Sequence, residues 1–389
     1  MRVDLVGTIC RKELLDTIRD RRTLISMVVV PLLAMPLLFL GISKFVGVAE
    51  KKAGEEAGAI GVHGAERLPG LLNALAQAGL KVASKDDLKG AVEKKEIAAG
   101  VEPVPGTGTL EVRIYFDMTR RGSEVAASRI RTALLEFKEN SIKLKLTELR
   151  LPESIADPFT VKRVNIAPQQ KMAGFFWGGV LGYVVVLLMF TGGMYPAIDL
   201  TAGEKERRTL EVLLSSPAGR GEIILGKILA TTTAVFVTAL LSMVSLVVSF
   251  RQADFGKEFK EIAGHMPLGA QNVALVLAAL APLAVFAASL MIAIALFAKS
   301  FKEAQSYLTP VVMAVVFPLV AGMLPGLQLT PALALVPLFN VCQLIKEILQ
   351  GDFNGVNFAI TMAANIVYAA VAFYAAVRVF SSEKVLFRT

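Results

Sequence analysis

Long apolar runs constrain this chain more than any other feature. They fall at about residues 24–48, 172–198, 223–250, 273–298, 307–327 and 356–380. A helix rises 1.5 Å per residue, so about 20 apolar residues are what it takes to cross roughly 30 Å of hydrocarbon. With 54% hydrophobic and 19% charged residues, a water-soluble globule would lack the polar surface to cover itself. The pattern predicts an all-α polytopic membrane protein of about six transmembrane helices. Pro31 and Pro36 in the first run would kink a helix, which a bundle tolerates because neighbours re-satisfy the backbone. A cleaved signal peptide fits that run less well, because the charged region before it is long and mixed in sign.

The formal charge of +8 fits loops held on the cytoplasmic side, and no nucleic-acid-binding module accompanies it, so nucleic acid is not an expected partner. In a six-span model the N-terminal segment, the loop with Lys205, Arg207, Arg208 and Arg220, the turn with Lys299 and Lys302, and the tail with Lys384 and Arg388 share one side. The positive-inside rule makes that side cytoplasmic, with both termini there and the chain in the plasma (inner) membrane; Arg251, Lys257 and Lys260 on the opposite side blur the bias. Residues 1–22 read as an amphipathic cytoplasmic helix on the membrane surface, with Leu5, Ile9, Leu14, Leu15 and Ile18 near helical spacing among basic residues. Residues 23–48 form the first span.

Residues 49–171 change to the composition of a soluble α/β domain, inserted between the first two spans and therefore extracytoplasmic. Strands are expected at 59–63, at 110–116, where Leu110, Val112, Ile114 and Phe116 alternate, and at 159–166; helices are expected at 68–78, 86–97 and 123–149. Residues 172–380 hold the other five spans, with a cytoplasmic loop at 199–222. Within them lies a segment at 337–349, too short to cross, that reads as interfacial or re-entrant. Pro337 and Asn340 there are candidates for a pathway. Residues 381–389 make a cytoplasmic tail.

No catalytic constellation, nucleotide fingerprint or metal-ligand spacing is found, and Cys10 and Cys342 are unsuited to a bridge. His63 and His265 read as solvated. Gly221, Gly226 and Lys227 satisfy part of a phosphate loop, but Ile228 stands where a hydroxyl must hold Mg²⁺ and no strand leads in, so the match is chance. Thr191, Ser242, Ser245, Ser289 and Asn365 in the spans read as packing or hydrogen-bonding residues, Gly178, Gly179 and Gly182 as sites of close helix approach, and Trp177 as an interfacial anchor. Few ionisable groups lie in the spans, which argues against a relay of buried carboxylates.

The most informative stretch runs from Gly203 to Pro217, GEKERRTLEVLLSSP. Leu210, Val212, Leu213 and Leu214 give it an apolar side, while Glu204, Glu206, Arg207, Arg208 and Glu211 offer ion pairs. Charge pattern alone fits a docking surface and a solvated, topology-fixing loop equally.

That stretch, followed by Arg220, Glu222 and Gly226-Lys227, resembles the segment after the second span of ABC-2 permeases, nearest their sodium-efflux (NatB-type) branch. Lys12-Glu13-Leu14 with Arg19-Asp20-Arg21-Arg22, Tyr115-Phe116-Asp117, and Val336-Pro337-Leu338-Phe339-Asn340 match it less specifically. The resemblance implies a permease subunit that pairs with a second copy or paralogue, each resting on a separate cytoplasmic ABC ATPase. ATP and Mg²⁺ would enter only through that ATPase, with no cofactor bound here directly. Carried onto this chain, Gly203, Glu204, Glu206, Arg207, Arg208, Thr209, Glu211 and Pro217 would couple to the ATPase, beside Lys12, Glu13, Arg19, Asp20 and Arg21 of the N-terminal helix. The substrate would be Na⁺, a drug or a lipid. Two other readings are a membrane-anchored receptor or assembly factor, for which six spans exceed the need, and a secondary transporter, which would show repeated halves and mid-membrane charges.

Overall fold

The computed structural model describes residues 2–106, 110–152, 155, 168, 171, 174, 178–252, 269–318 and 327–382. The chain divides into two compact units, Met1–Gly41 with Ile166–Thr389, and Ile42–Asn165.

In the first unit, α1 (Val3–Arg19) ends at Asp20, whose carboxylate caps α2 (Arg21–Leu24) by accepting hydrogen bonds from Thr23 N at 2.9 Å and Arg22 N at 3.3 Å. A π-helical turn, Ile25–Val29, leads into α3 (Val30–Glu56). After α7 (Gly179–Ile198) come the short α8 (Glu204–Glu206) and α9 (Thr209–Leu214). The long α10 (Arg220–Gln252) and α11 (Ala270–Ala295) follow, then α12 (Phe301–Ala314), α13 (Phe339–Gln350) and α14 (Gly355–Ser381). Among the described residues five helical stretches are long and apolar enough to span a membrane: Arg21–Glu56, Gly179–Glu206, Arg220–Ser249, Ala270–Ala295 and Gly355–Ser381. For the run at 307–327, α12 and residues up to 318 are described, as is 327, and residues 319–326 lie outside the described residues. So do Trp177, the strand expected at 159–166, the loop lysines 257 and 260, His265 and the tail from 383.

The stretch through α7 is the centre of this unit: 78% of its most apolar window is buried, against 28% for α14, whose Ile366, Val367 and Val371 face outward. Glycine makes the centre dense. A Cβ on Gly182 would lie 3.1 Å from Ile345 of α13, one on Gly178 3.3 Å from the Lys346 Cα, and one on Gly193 2.3 Å from Val235 of α10. Helix α13, the short segment expected to be interfacial or re-entrant, is buried along most of its length against α7, α11 and α14. Its start is fixed by Asn340, which donates to Ala334 O at 3.0 Å and accepts from Val341 N at 2.8 Å. Asn340 is therefore satisfied locally, and Pro337 is exposed on the turn before it.

In the second unit a four-stranded sheet has the order β2-β1-β3-β4, from β1 (Ala59–Val62), β2 (Lys81–Ser84), β3 (Ala99–Pro105) and β4 (Leu110–Phe116). β1 pairs parallel with β2 and β3, and β3 pairs antiparallel with β4. One apolar cluster joins the sheet to α4 (Leu71–Gln77) and α6 (Arg121–Glu148) through Ile60, Val101, Leu71, Leu75 and Ile130. A separate cluster holds α5 (Leu88–Glu93) through Leu88, Val92 and Ile97. Helices covering both faces are what a mostly parallel sheet requires.

Candidate functional site

Helix α7 does not stop at Ile198. A π-helical turn, Asp199–Gly203, carries it into α8, and the chain then turns at Arg208, a non-glycine residue in the left-handed region at φ 58°. The turn thereby delivers four consecutive charged side chains, Glu204 to Arg207, in three directions.

Glu204 points inward and is buried. Its Oε2 lies 2.7 Å from Lys227 Nζ on α10, and its Oε1 3.5 Å from Lys12 Nζ on α1. Lys227, with no exposed surface, also donates to Glu13 Oε1 at 3.0 Å, and Lys12 completes the ring 3.3 Å from Glu13. Burial opposes the charge on Lys12, but Glu13 and Glu204 outweigh it and raise its pKa above the ordinary lysine value. This ionic knot ties together three elements distant in sequence. Removing one member of such a buried set leaves an uncompensated charge, at a cost of about 3–5 kcal/mol.

Lys205 and Glu206 reach in another direction, toward the α11–α12 corner. Lys205 Nζ donates to Leu296 O at the end of α11, and Glu206 accepts from Phe301 N, the first residue of α12, at 2.8 Å. A cation thus meets a helix C-terminus and an anion a helix N-terminus, each in the favourable sense of the helix dipole. Arg207 folds back 2.8 Å onto Asp199, and this hydrogen bond holds its pKa above the ordinary arginine value. Gly203 sits beneath that pair, where an added Cβ would come 3.0 Å from Asp199 Oδ1.

Past Arg208 the segment faces outward. Arg208, Thr209, Glu211 and Val212 are exposed, Val212 by 71%, while Leu210 is buried and anchors α9 from beneath. Between α1 and this segment lies a cleft of about 720 Å³, whose walls include Lys12, Asp16, Arg19, Asp20, Arg207, Val212 and Ser216. At the start of α1, the Arg2 guanidinium donates to Pro217 O and its backbone N–H donates to Glu222 at 2.6 Å.

Of the residues expected to act together, the structure brings Lys12, Glu13 and Glu204 into the knot and places Arg19, Asp20, Arg207 and Thr209 on the cleft. Arg208 and Glu211 stay on the exposed rim, and Arg21 lies exposed at the start of α2. The N-terminal helix corrects the expectation of a purely surface-bound element. It buries Val6, Ile9, Glu13 and Thr17 against α10, and leaves Leu15 and Ile18 outward. Contact is close because Gly226 has no side chain; a Cβ there would lie 2.6 Å from Ile9 Cγ2. The ion-pairing role of Lys227 is what sequence reasoning missed, having met the residue only within the family resemblance and a chance phosphate-loop match. The residues of that match lie in helix α10, and the lysine's ammonium is committed to two carboxylates. A lone lysine one turn inside an apolar run, with acidic residues available on the predicted N-terminal helix and in the 199–222 loop, was the signal.

Of the polar span residues, Thr191 and Ser242 donate within their own helices, and Ser245 donates across to Leu32 O on α3 at 2.8 Å. Among the described residues no group of His, Cys, Asp and Glu is arranged to hold a metal ion.

A family model described as ABC-2 family transporter protein matches residues 7–385. The chain is 26% identical over 393 residues to the ABC transporter permease protein NatB of Bacillus subtilis, an alignment covering 98% of this chain and 99% of that protein. No solved structure matches it significantly.

Proposed function

Since the chain belongs to the ABC-2 transporter family, we propose that it is the membrane half of an ATP-driven exporter, worked by a separate cytoplasmic ABC ATPase that docks on the α9 rim and in the cleft beside α1. The observation that carries this reading is the ionic knot of Glu13, Glu204 and Lys227 directly behind that cleft. The rim supplies an exposed apolar residue, Val212, between Arg208 and Glu211, which suits a partner surface of mixed chemistry.

Force applied at the rim passes into α8, and the knot makes α8, α1 and α10 move together, because opening it would strand buried charges. Lys205 and Glu206 extend the same rigid coupling to the α11–α12 corner. Closure of the ATPase then biases a two-state helix bundle from one packing to the other. Both termini and the 199–222 segment lie in the cytoplasm on this reading, the Ile42–Asn165 unit lies outside, and a second permease subunit completes the pathway. ATP and Mg²⁺ act within the ATPase. Na⁺ is the first substrate to try, followed by drugs and lipids.

Co-purification from native membranes tests the proposal. A stoichiometric ATPase whose turnover changes on release from the chain is the expected result. Reproducible isolation of the folded chain alone would favour a receptor or assembly factor instead.

A further inference from the structure

Within the Ile42–Asn165 unit, a groove of about 520 Å³ runs between the second half of α3 and the first turns of α6. Two helical stripes wall it: Phe45, Ala49 and Ala53 on α3, and Arg121, Val125 and Arg129 on α6, each residue four after the last. Its lining is mostly apolar, but the α6 stripe begins and ends in arginines, whose backbones lie about 12 Å apart along the helix at 1.5 Å per residue. Arg121 is engaged 3.0 Å from Glu124; Arg129 has no acidic partner among the described residues, and its tip reaches the groove floor 4.0 Å from where a Cβ on Gly54 would sit.

Phe45 is 76% exposed and Val48 68%, a large apolar surface left uncovered. Both lie on the same continuous helix as the first membrane span, within the candidate span Arg21–Glu56, with Lys44, Lys51 and Lys52 exposed nearby. An apolar groove on the helix that carries a candidate span, edged by arginines and flanked by lysines, matches an amphiphile with an acyl tail and a negative head.

We propose that this groove binds one anionic phospholipid from the leaflet where α3 emerges. An acyl chain lies between Phe45, Ala53 and Val125, and Arg129, seconded by Arg121, holds the phosphate in charge-assisted hydrogen bonds. Glu50 on the opposite wall disfavours a second negative charge at that end. The proposal does not depend on the transported substrate.

The test uses the full chain in nanodiscs carrying a trace of phosphatidylglycerol or phosphatidylcholine with a photoreactive acyl chain, and adducts are mapped by peptide mass spectrometry. The outward face of α14, at Ile366, Val367 and Val371, reports ordinary surrounding lipid. Relative to that face, phosphatidylglycerol should label peptides containing residues 45–54 and 121–129 about fivefold more than phosphatidylcholine for each arginine engaged. Arg129→Gln should reduce that preference without changing α14 labelling. Gly54→Leu, which fills the floor while favouring the helix, should lower groove labelling by both lipids. Equal labelling by the two lipids, an unchanged preference in Arg129→Gln, or crosslinks to a second protein chain in place of lipid adducts would each overturn the proposal.

Discussion

Residues 203–206 and residues 208–216 belong to one short motif, yet their side chains are placed in opposite ways. In the first stretch Glu204, Lys205 and Glu206 spend their charges on this chain, on Lys227, Leu296 O and Phe301 N. In the second, Arg208, Glu211 and Val212 are turned to solvent while Leu210 holds the segment down. What separates them is the left-handed turn at Arg208. The lesson is that a charged loop motif can be half foundation and half exposed surface, the half to which the proposed docking is assigned. A substitution scan that treats it as one epitope will mix loss of folding with loss of docking.

The sharpest separation comes from the foundation. Lys227→Met strands Glu13 and Glu204 in a buried site and should destabilise the protein by about 3–5 kcal/mol, seen as a marked fall in thermal midpoint and in yield of monodisperse protein. Glu211→Ala on the rim should leave both near the parent. If the two variants unfold alike, the distinction fails. Gly226→Leu attacks the same foundation through packing. The new side chain meets Ile9 within van der Waals distance, so α1 must shift, at about 1–3 kcal/mol. Faster proteolytic release of residues 1–19 would report it.

The contact surface should respond in the other currency. Val212→Asp puts a charge at the centre of the rim and should weaken ATPase association about tenfold, or about 1.4 kcal/mol, with the thermal midpoint unchanged. Glu206→Ala and Arg207→Ala, which sequence alone nominates as docking variants, are less clean. Glu206 caps α12 and Arg207 holds Asp199, so both should lower stability as well as coupling.

How much of this was legible beforehand follows from how local each signal is. The membrane runs, the alternating β4 and the long α6 were readable because their periodicities are contained in one segment. β2 and β3 were not, since Lys81–Ser84 is short and exposed and Ala99–Pro105 carries two prolines. The motif 203–217, with Glu13 named beside it, was legible as a charged segment, but the split between its inward-facing and outward-facing halves was not. The partner that decides Glu204's role, Lys227, lies 23 positions on in a helix that reads as plain hydrophobic span. A long-range ion pair leaves no periodic trace in either of its segments.

The smallest effect sharpens the boundary of the cleft. Asp20 ends α1, starts α2 and lines the cleft; burial works against its charge, but hydrogen bonds from Thr23 and Arg22 prevail and hold its pKa below the ordinary carboxylate value. A depressed folded-state pKa means the charged cap stabilises fully above the unfolded value near 4 and loses that contribution as pH falls through the lower folded value. Asp20→Asn keeps a competent cap and gives up only the charge, so it should cost a few tenths of a kcal/mol at neutral pH. The deficit against the parent should be constant from pH 5 to 8 and shrink below about pH 4. A deficit that instead grows on acidification would mean that Asp20 serves through contacts other than these hydrogen bonds, and the α1–α2 corner would then belong to the docking surface, not the foundation.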